Sequence, residues 1–124
     1  MKVLIIDDDA DIRQIAALSL SRLGGMEVIE ASGGVEGLRK ADEERPDVIL
    51  LDMMMPTMDG SQTLAALRAQ PTTALTPVIF LTAKAVHVEV ERMRALGAAG
   101  VLIKPFDPRT LAGDVRALLN RPPD

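Results

Sequence analysis

Four short apolar runs in this 124-residue chain each end in a residue that can do chemistry. Residues 2–6 run into Asp7-Asp8-Asp9, residues 48–51 into Asp52, residues 78–81 into Thr82, and residues 101–103 into Lys104-Pro105. Brought together, these run ends would assemble three or more carboxylates, one hydroxyl and one ammonium. Crowded carboxylates repel one another and cost stability unless a cation joins them. Lys104 supplies one positive charge. The remaining negative charge suits a hard divalent ion with oxygen ligands, and Mg²⁺ typically takes one or two carboxylates plus water and phosphate. A carboxylate is also a nucleophile toward phosphorus, giving an aspartyl phosphate. The ion, the lysine and the hydroxyl would then hold the three phosphoryl oxygens.

The elements that must position these residues alternate in type. Residues 2–6, 26–30, 48–51, 78–81 and 101–103 are apolar, too short for helices and bounded by Asp, Gly, Pro or Thr, so they read as strands. Between them lie stripes with helical spacing: Ile12, Ile15, Ala16, Ser19, Leu20 and Leu23; then Val35, Leu38 and Ala41; then Leu64 and Leu67; and last Leu111, Val115, Leu118 and Leu119. Gly24-Gly25 suits the end of the first helix, and Pro46 and Pro77 close off the segments before the third and fourth strands. One segment is ambiguous. Val86, Val88 and Val90 alternate like a strand, whereas Val86, Val90 and Met93 fit a helix. Its place between two strands favours a helix, weakened by three β-branched residues in five. Five β-α units with continuously apolar strands predict an α/β fold, a doubly wound parallel sheet buried on both faces. In such a sheet the C-terminal strand ends form the binding edge.

Composition bounds the rest. One domain is expected at this length, covering residues 1–120, with 121–124 a tail or the start of a linker because Arg121-Pro122-Pro123 cannot continue a helix. With 48 % hydrophobic and 26 % charged residues the chain is globular in composition, and no apolar run approaches the ~18 residues of a membrane span. An N-terminus that meets three aspartates by residue 9 does not read as a signal peptide. A net charge of −4 with no basic cluster argues against nucleic acid as a partner. There is no Cys and a single His87, which excludes disulfides, thiol chemistry and any two-histidine site. Two phenylalanines, Phe80 and Phe106, are the only aromatics, too few to stack a flavin ring.

Five pieces together resemble the receiver domain of bacterial two-component response regulators: Leu4-Ile5-Ile6-Asp7-Asp8-Asp9, Leu50-Leu51-Asp52-Met53-Met54-Met55-Pro56, Met58-Asp59-Gly60, Leu81-Thr82-Ala83 and Lys104-Pro105-Phe106. The resemblance runs over nearly the whole chain. It implies a (βα)5 flavodoxin-like fold with strand order 2-1-3-4-5. It implies Asp52 as phosphoacceptor from a phosphohistidine on a sensor histidine kinase or phosphotransfer protein, and Mg²⁺ held by Asp7, Asp8, Asp52 and the Met54 carbonyl. Thr82 would hydrogen-bond the phosphoryl group, Lys104 would ion-pair with it, and the Lys104–Pro105 bond would be cis. Phosphorylation would alter the face built by the fourth helix, fifth strand and fifth helix and so control an effector domain or protein. A cytoplasmic location is implied as well, and phosphorylation-dependent homodimers belong to the family's repertoire. Such a domain catalyses only its own phosphotransfer and dephosphorylation. Val101 stands where many receivers carry the aromatic ring that reports the active state, and Met54 and Lys84 flank the site where the family tunes phosphoryl lifetime.

Plainer readings apply at several positions. Asp9 suits an N-cap more than a metal ligand. Asp59-Gly60 reads as a turn in which glycine allows positive φ. Met53, Met54, Met55 and Met58 read as packing rather than a soft-metal site, His87 as a surface histidine, and Glu43-Glu44-Arg45 as solvated surface. Two other classes compete with a phosphorylated switch. A haloacid-dehalogenase-type phosphatase also uses an Asp-x-Asp after an apolar strand, here Asp7-Asp8-Asp9, but usually needs a cap domain for which this length leaves no room. A binding module that keeps only the fold usually loses one or more of the five site residues, and none is missing here.

Overall fold

A computed structural model describes residues 1–83 and 87–120, and of α4 residues 87–89 the backbone alone. The expectations at Lys84, at Val86, for the His87 side chain and for the tail 121–124 therefore lie outside what is described. Five strands, β1 (Lys2–Ile6), β2 (Glu27–Ala31), β3 (Val48–Asp52), β4 (Val78–Thr82) and β5 (Gly100–Ile103), alternate with five helices. The helices are α1 (Ala10–Arg22), α2 (Gly34–Glu44), α3 (Gly60–Ala69), α4 (His87–Ala95) and α5 (Leu111–Leu119). The strands are all parallel and stand in the order β2-β1-β3-β4-β5. The expected architecture is therefore the observed one, and Val88 and Val90 of the ambiguous segment lie in the helix α4.

The apolar strands are continuous because both sheet faces are covered. Side chains alternate across a strand, so β1 sends Val3 and Ile5 into one cluster with Ala16 and Leu20 of α1 and Leu111 and Val115 of α5. Leu4 and Ile6 go into the opposite cluster, with Ala41 of α2, Leu64 and Leu67 of α3 and Met93 of α4. Phe80, fully buried, is the largest side chain of that second layer.

Three expectations need correction. β2 starts one residue later than expected, at Glu27, because the Met26 N–H donates to the Leu20 carbonyl of α1 (3.1 Å) and the ladder with β1 begins at Glu27. Val35 is 73 % exposed, so it is not on the buried stripe of α2. That helix instead buries Gly34, Gly37 and Ala41, and a Cβ on Gly37 would lie 2.4 Å from Ile6 Cδ1. The close approach of helix to sheet is made with missing side chains, which an apolar stripe does not reveal. On α1, Ile15 and Leu23 are likewise exposed while Ala16, Ser19 and Leu20 are buried.

Backbone hydrogen bonds continue past the strand ends and carry the site residues with them. The Asp7 N–H donates to the Ala31 carbonyl (3.1 Å), Met53 N–H to Leu81 (3.0 Å) and Lys104 N–H to Thr82 (2.8 Å). The buried Ser19 hydroxyl of α1 donates to the Pro108 carbonyl, tying that helix to the loop after Lys104.

Candidate functional site: an acidic cluster at the C-terminal sheet edge

Asp7, Asp52 and Thr82 are buried at the C-terminal edge of β1, β3 and β4, and Asp52 and Thr82 are the last residues of their strands. The exposed Asp8 stands beside them: Asp7, Asp8 and Asp52 can each offer a carboxylate oxygen with all three within 4.8 Å of one another. Lys104, just past β5, places Nζ 2.7 Å from Asp7 Oδ2 and 3.3 Å from Asp52 Oδ1. The carboxylates and the ammonium converge, and the buried Thr82 ends the strand between β3 and β5. The Lys104–Pro105 bond is cis.

Three ionised carboxylates and one ammonium leave the cluster two charges negative, and the electrostatics show it. Burial pushes the Asp52 carboxyl up to about 6, the charge of Asp7 adds to this, and Lys104 and the Met54 N–H offset it only in part. Burial pulls Lys104 down, but its hydrogen bond to Asp7 and the charges of Asp52 and Asp7 outweigh this, leaving it above the ordinary lysine value. The donors are hard oxygens and their charge is uncompensated, a set that fits a divalent cation of the Mg²⁺ type. Asp52 is a carboxylate that burial and the charge of Asp7 make costly to hold as an anion. Added positive charge would relieve it.

The surrounding loops explain how the cluster keeps its shape. The Asp9 N–H donates to Asp7 Oδ1 (2.9 Å), while the Asp9 carboxylate accepts from the Asp11 and Ile12 N–H groups and so caps α1. Asp9 is a cap, as its sequence context suggests. The Met54 N–H donates to Asp52 Oδ1 at 3.3 Å. The Met54 side chain is 70 % exposed, so packing accounts for the buried Met55 but not for Met54.

Asp59 and Gly60 correct the turn reading. Asp59 is the N-cap of α3 in a capping box with Gln62, and those hydrogen bonds, with Ser61, hold its carboxyl below the usual range. Gly60 does not have positive φ; in that loop Thr57 does, at 68°. Glycine is needed at 60 for space. Its N–H donates to the Met53 carbonyl (3.0 Å), and a Cβ there would stand 2.7 Å from the Asp52 carbonyl oxygen and the Met53 Cα.

One participant escaped the sequence reading. Arg13 of α1 donates through Nη1 to the Asp7 carbonyl (2.7 Å) and through Nε to Glu30 Oε1 of β2 (3.2 Å). Its only signal in the sequence is a cation one turn into the helix that follows the aspartates.

Known proteins resemble this chain over nearly its whole length. The family model described as "Response regulator receiver domain" matches residues 3–116. The alkaline phosphatase synthesis transcriptional regulatory protein PhoP of Bacillus subtilis is 39 % identical over 120 residues, 97 % of this chain and 49 % of that protein. The transcriptional regulatory protein PrrA of Mycobacterium tuberculosis is 43 % identical over 122 residues, 97 % and 50 % of the two chains. The chain thus spans about half the length of these relatives. The crystallised chemotaxis response regulator CheY4 of Vibrio cholerae superimposes with a TM-score of 0.87 at 38 % identity, covering 94 % of this chain and 97 % of that one. Among the described residues no helix is long and apolar enough to cross a membrane. Matched from residue 3 to 116 and built on the same five-stranded sheet, this chain belongs to the response regulator receiver domain family.

Proposed function

We propose that this receiver is a phosphorylation-dependent signalling switch whose acceptor is Asp52. The observation that carries the reading is the placement of Lys104 Nζ between Asp7 and Asp52 at the buried strand ends, with Thr82 closing the same edge. An Asp52 carboxylate oxygen attacks phosphorus as the bond to the donor imidazole nitrogen of a sensor kinase or phosphotransfer protein breaks, leaving an acyl phosphate on Asp52. Lys104 pairs with one phosphoryl oxygen and the Thr82 hydroxyl donates to another. Asp7, Asp8, Asp52 and the Met54 carbonyl would hold Mg²⁺, which when bound neutralises the charge of the carboxylates and the incoming phosphoryl group. The chain catalyses only its own phosphotransfer and dephosphorylation.

The output surface in this reading is α4-β5-α5, acting on an effector domain or protein, or through a homodimer. Relatives named as transcriptional regulators and as a chemotaxis protein support a domain that serves more than one kind of output. Val101 packs against the second core cluster, so switching relies on Thr82 and α4 rather than on rotation of a ring. A kinase partner of this kind acts in the cytoplasm.

Intact-protein mass spectrometry with a small acyl-phosphate donor tests the acceptor. Wild type should gain one phosphoryl group when Mg²⁺ is added, and Asp52→Asn should gain none. Equal labelling of Asp52→Asn would overturn the assignment.

A further inference from the structure

We infer that Arg13 is a positioning residue for the acidic site, acting by fixing the peptide plane between Asp7 and Asp8. Asp7 is held at four atoms. Its N–H donates to Ala31, its Oδ1 accepts from the Asp9 N–H, its Oδ2 accepts from Lys104, and its carbonyl accepts from Arg13 Nη1. The first three fix where Asp7 enters and where its carboxylate points. The fourth acts on the carbonyl of the peptide that leads into Asp8. Asp8 is the exposed member of the carboxylate trio, and the rotation of that peptide sets the direction in which its side chain leaves the backbone.

Arg13 is itself held at a second point. Its side chain is 17 % exposed and its Nε is paired with Glu30. Glu30 sits near the end of the edge strand β2, and its carbonyl accepts from Lys40 of α2. The planar guanidinium reaches two acceptors at once through Nη1 and Nε. A lysine ammonium on a flexible stem cannot reproduce that fork. The anchors run from α2 through the β2 edge and α1 to the loop that bears Asp7 and Asp8.

Charge alone and position make opposite forecasts. A cation near a cation-binding cluster opposes metal binding, so if Arg13 acted only by its charge, Arg13→Gln would bind Mg²⁺ more tightly and Arg13→Lys would be unchanged. If it acts by position, both variants lose affinity. Outer partners of metal ligands typically contribute 10- to 100-fold to affinity. A bond to the main chain of one ligand residue belongs at the low end, about tenfold.

The inference rests on the proposed metal-assisted reading of the site, and the experiment separates the two. Mg²⁺ is titrated into the wild-type chain, Arg13→Lys, Arg13→Gln and Glu30→Gln, following the amide resonances of Asp8, Asp9 and Met54. Both Arg13 variants should bind about tenfold more weakly, and Glu30→Gln, which loosens Arg13 without removing it, about threefold. At saturating Mg²⁺ the rate of labelling by an acyl phosphate should return to within about twofold of wild type, because Asp52 is untouched. Urea midpoints measured alongside separate loss of position from loss of fold, and Arg13→Lys, which keeps the charge and loses the fork, carries the test should Arg13→Gln fail to fold. Wild-type binding with unchanged or tighter binding in Arg13→Lys and Arg13→Gln overturns the inference alone. A wild type with no response to Mg²⁺ overturns the reading of the site and the inference with it.

Discussion

Asp52→Asn should make this protein more stable while removing its acceptor. A carboxyl raised from an ordinary 3.8 to about 6 binds its proton more tightly in the folded state than in the unfolded one. Stability contributed by that proton is present at low pH and is lost as pH climbs from about 4 through about 6. Above that window the folded state carries a buried anion that it opposes. Two pKa units at about 1.4 kcal/mol each come to about 3 kcal/mol, an upper figure because the charges of Asp7, Asp52 and Lys104 are coupled. An asparagine side chain has the size of the protonated acid and none of the charge, and Lys104 keeps its 2.7 Å contact with Asp7. The variant should therefore exceed wild type by about 2–3 kcal/mol near pH 7.5, and the gap should close as pH falls toward 4. With a urea slope of about 1–3 kcal/mol/M this moves the midpoint up by about 1 M or more. Circular dichroism suits the measurement, since the chain has neither Trp nor Tyr. The assay is run in chelator, because a cation bound only by the folded wild type would narrow the gap by mass action. A variant that is less stable than wild type, or a gap that stays constant from pH 4 to pH 7.5, would refute the reasoning.

Other perturbations probe the supports of the site. Gly60→Ala forces a Cβ against the Asp52 carbonyl and Met53 Cα; it should lower stability by about 1–3 kcal/mol and slow labelling of Asp52, as read by denaturation and intact mass. Asp9→Ala removes the acceptor of two helix N–H groups and should cost about 1 kcal/mol in urea denaturation, with Mg²⁺ affinity within about twofold of wild type. Thr82→Ala should still be labelled on Asp52, yet lose most of the labelling-dependent change in hydrogen exchange in α4 and in residues 101–104. An identical response in wild type and variant would move the switch to another face.

The fold and the acid cluster were legible because this architecture writes its binding edge into strand ends. Asp7, Asp52, Thr82 and Lys104 each follow or finish an apolar run, and a parallel sheet with right-handed crossovers has few ways to keep such ends apart. What was not legible was close contact made by small or long side chains. Val35 looked like core because it is apolar and correctly spaced, but α2 lies too near β1 for anything larger than glycine at 37. Gly60 looked like a turn residue because glycine so often supplies positive φ, whereas here it supplies clearance. Arg13 was invisible for the opposite reason: it crosses from α1 to a main-chain carbonyl and an edge strand, and neither partner leaves a mark on its local sequence.

The short strand β5 has a mechanical consequence. Val101 belongs to the cluster shared with Met93 of α4, and Leu102 to the one shared with α5. At Gly100 an added Cβ would stand 2.7 Å from Leu118 Cδ2, so the backbone there has little clearance from α5. Lys104 continues the same backbone and is fastened to Thr82 by its N–H. A four-residue rod with teeth set alternately into two helical layers cannot slide lengthwise without refitting both. A displacement of its charged end would therefore be resisted from both sides of the sheet at once, like a key held between two sets of tumblers.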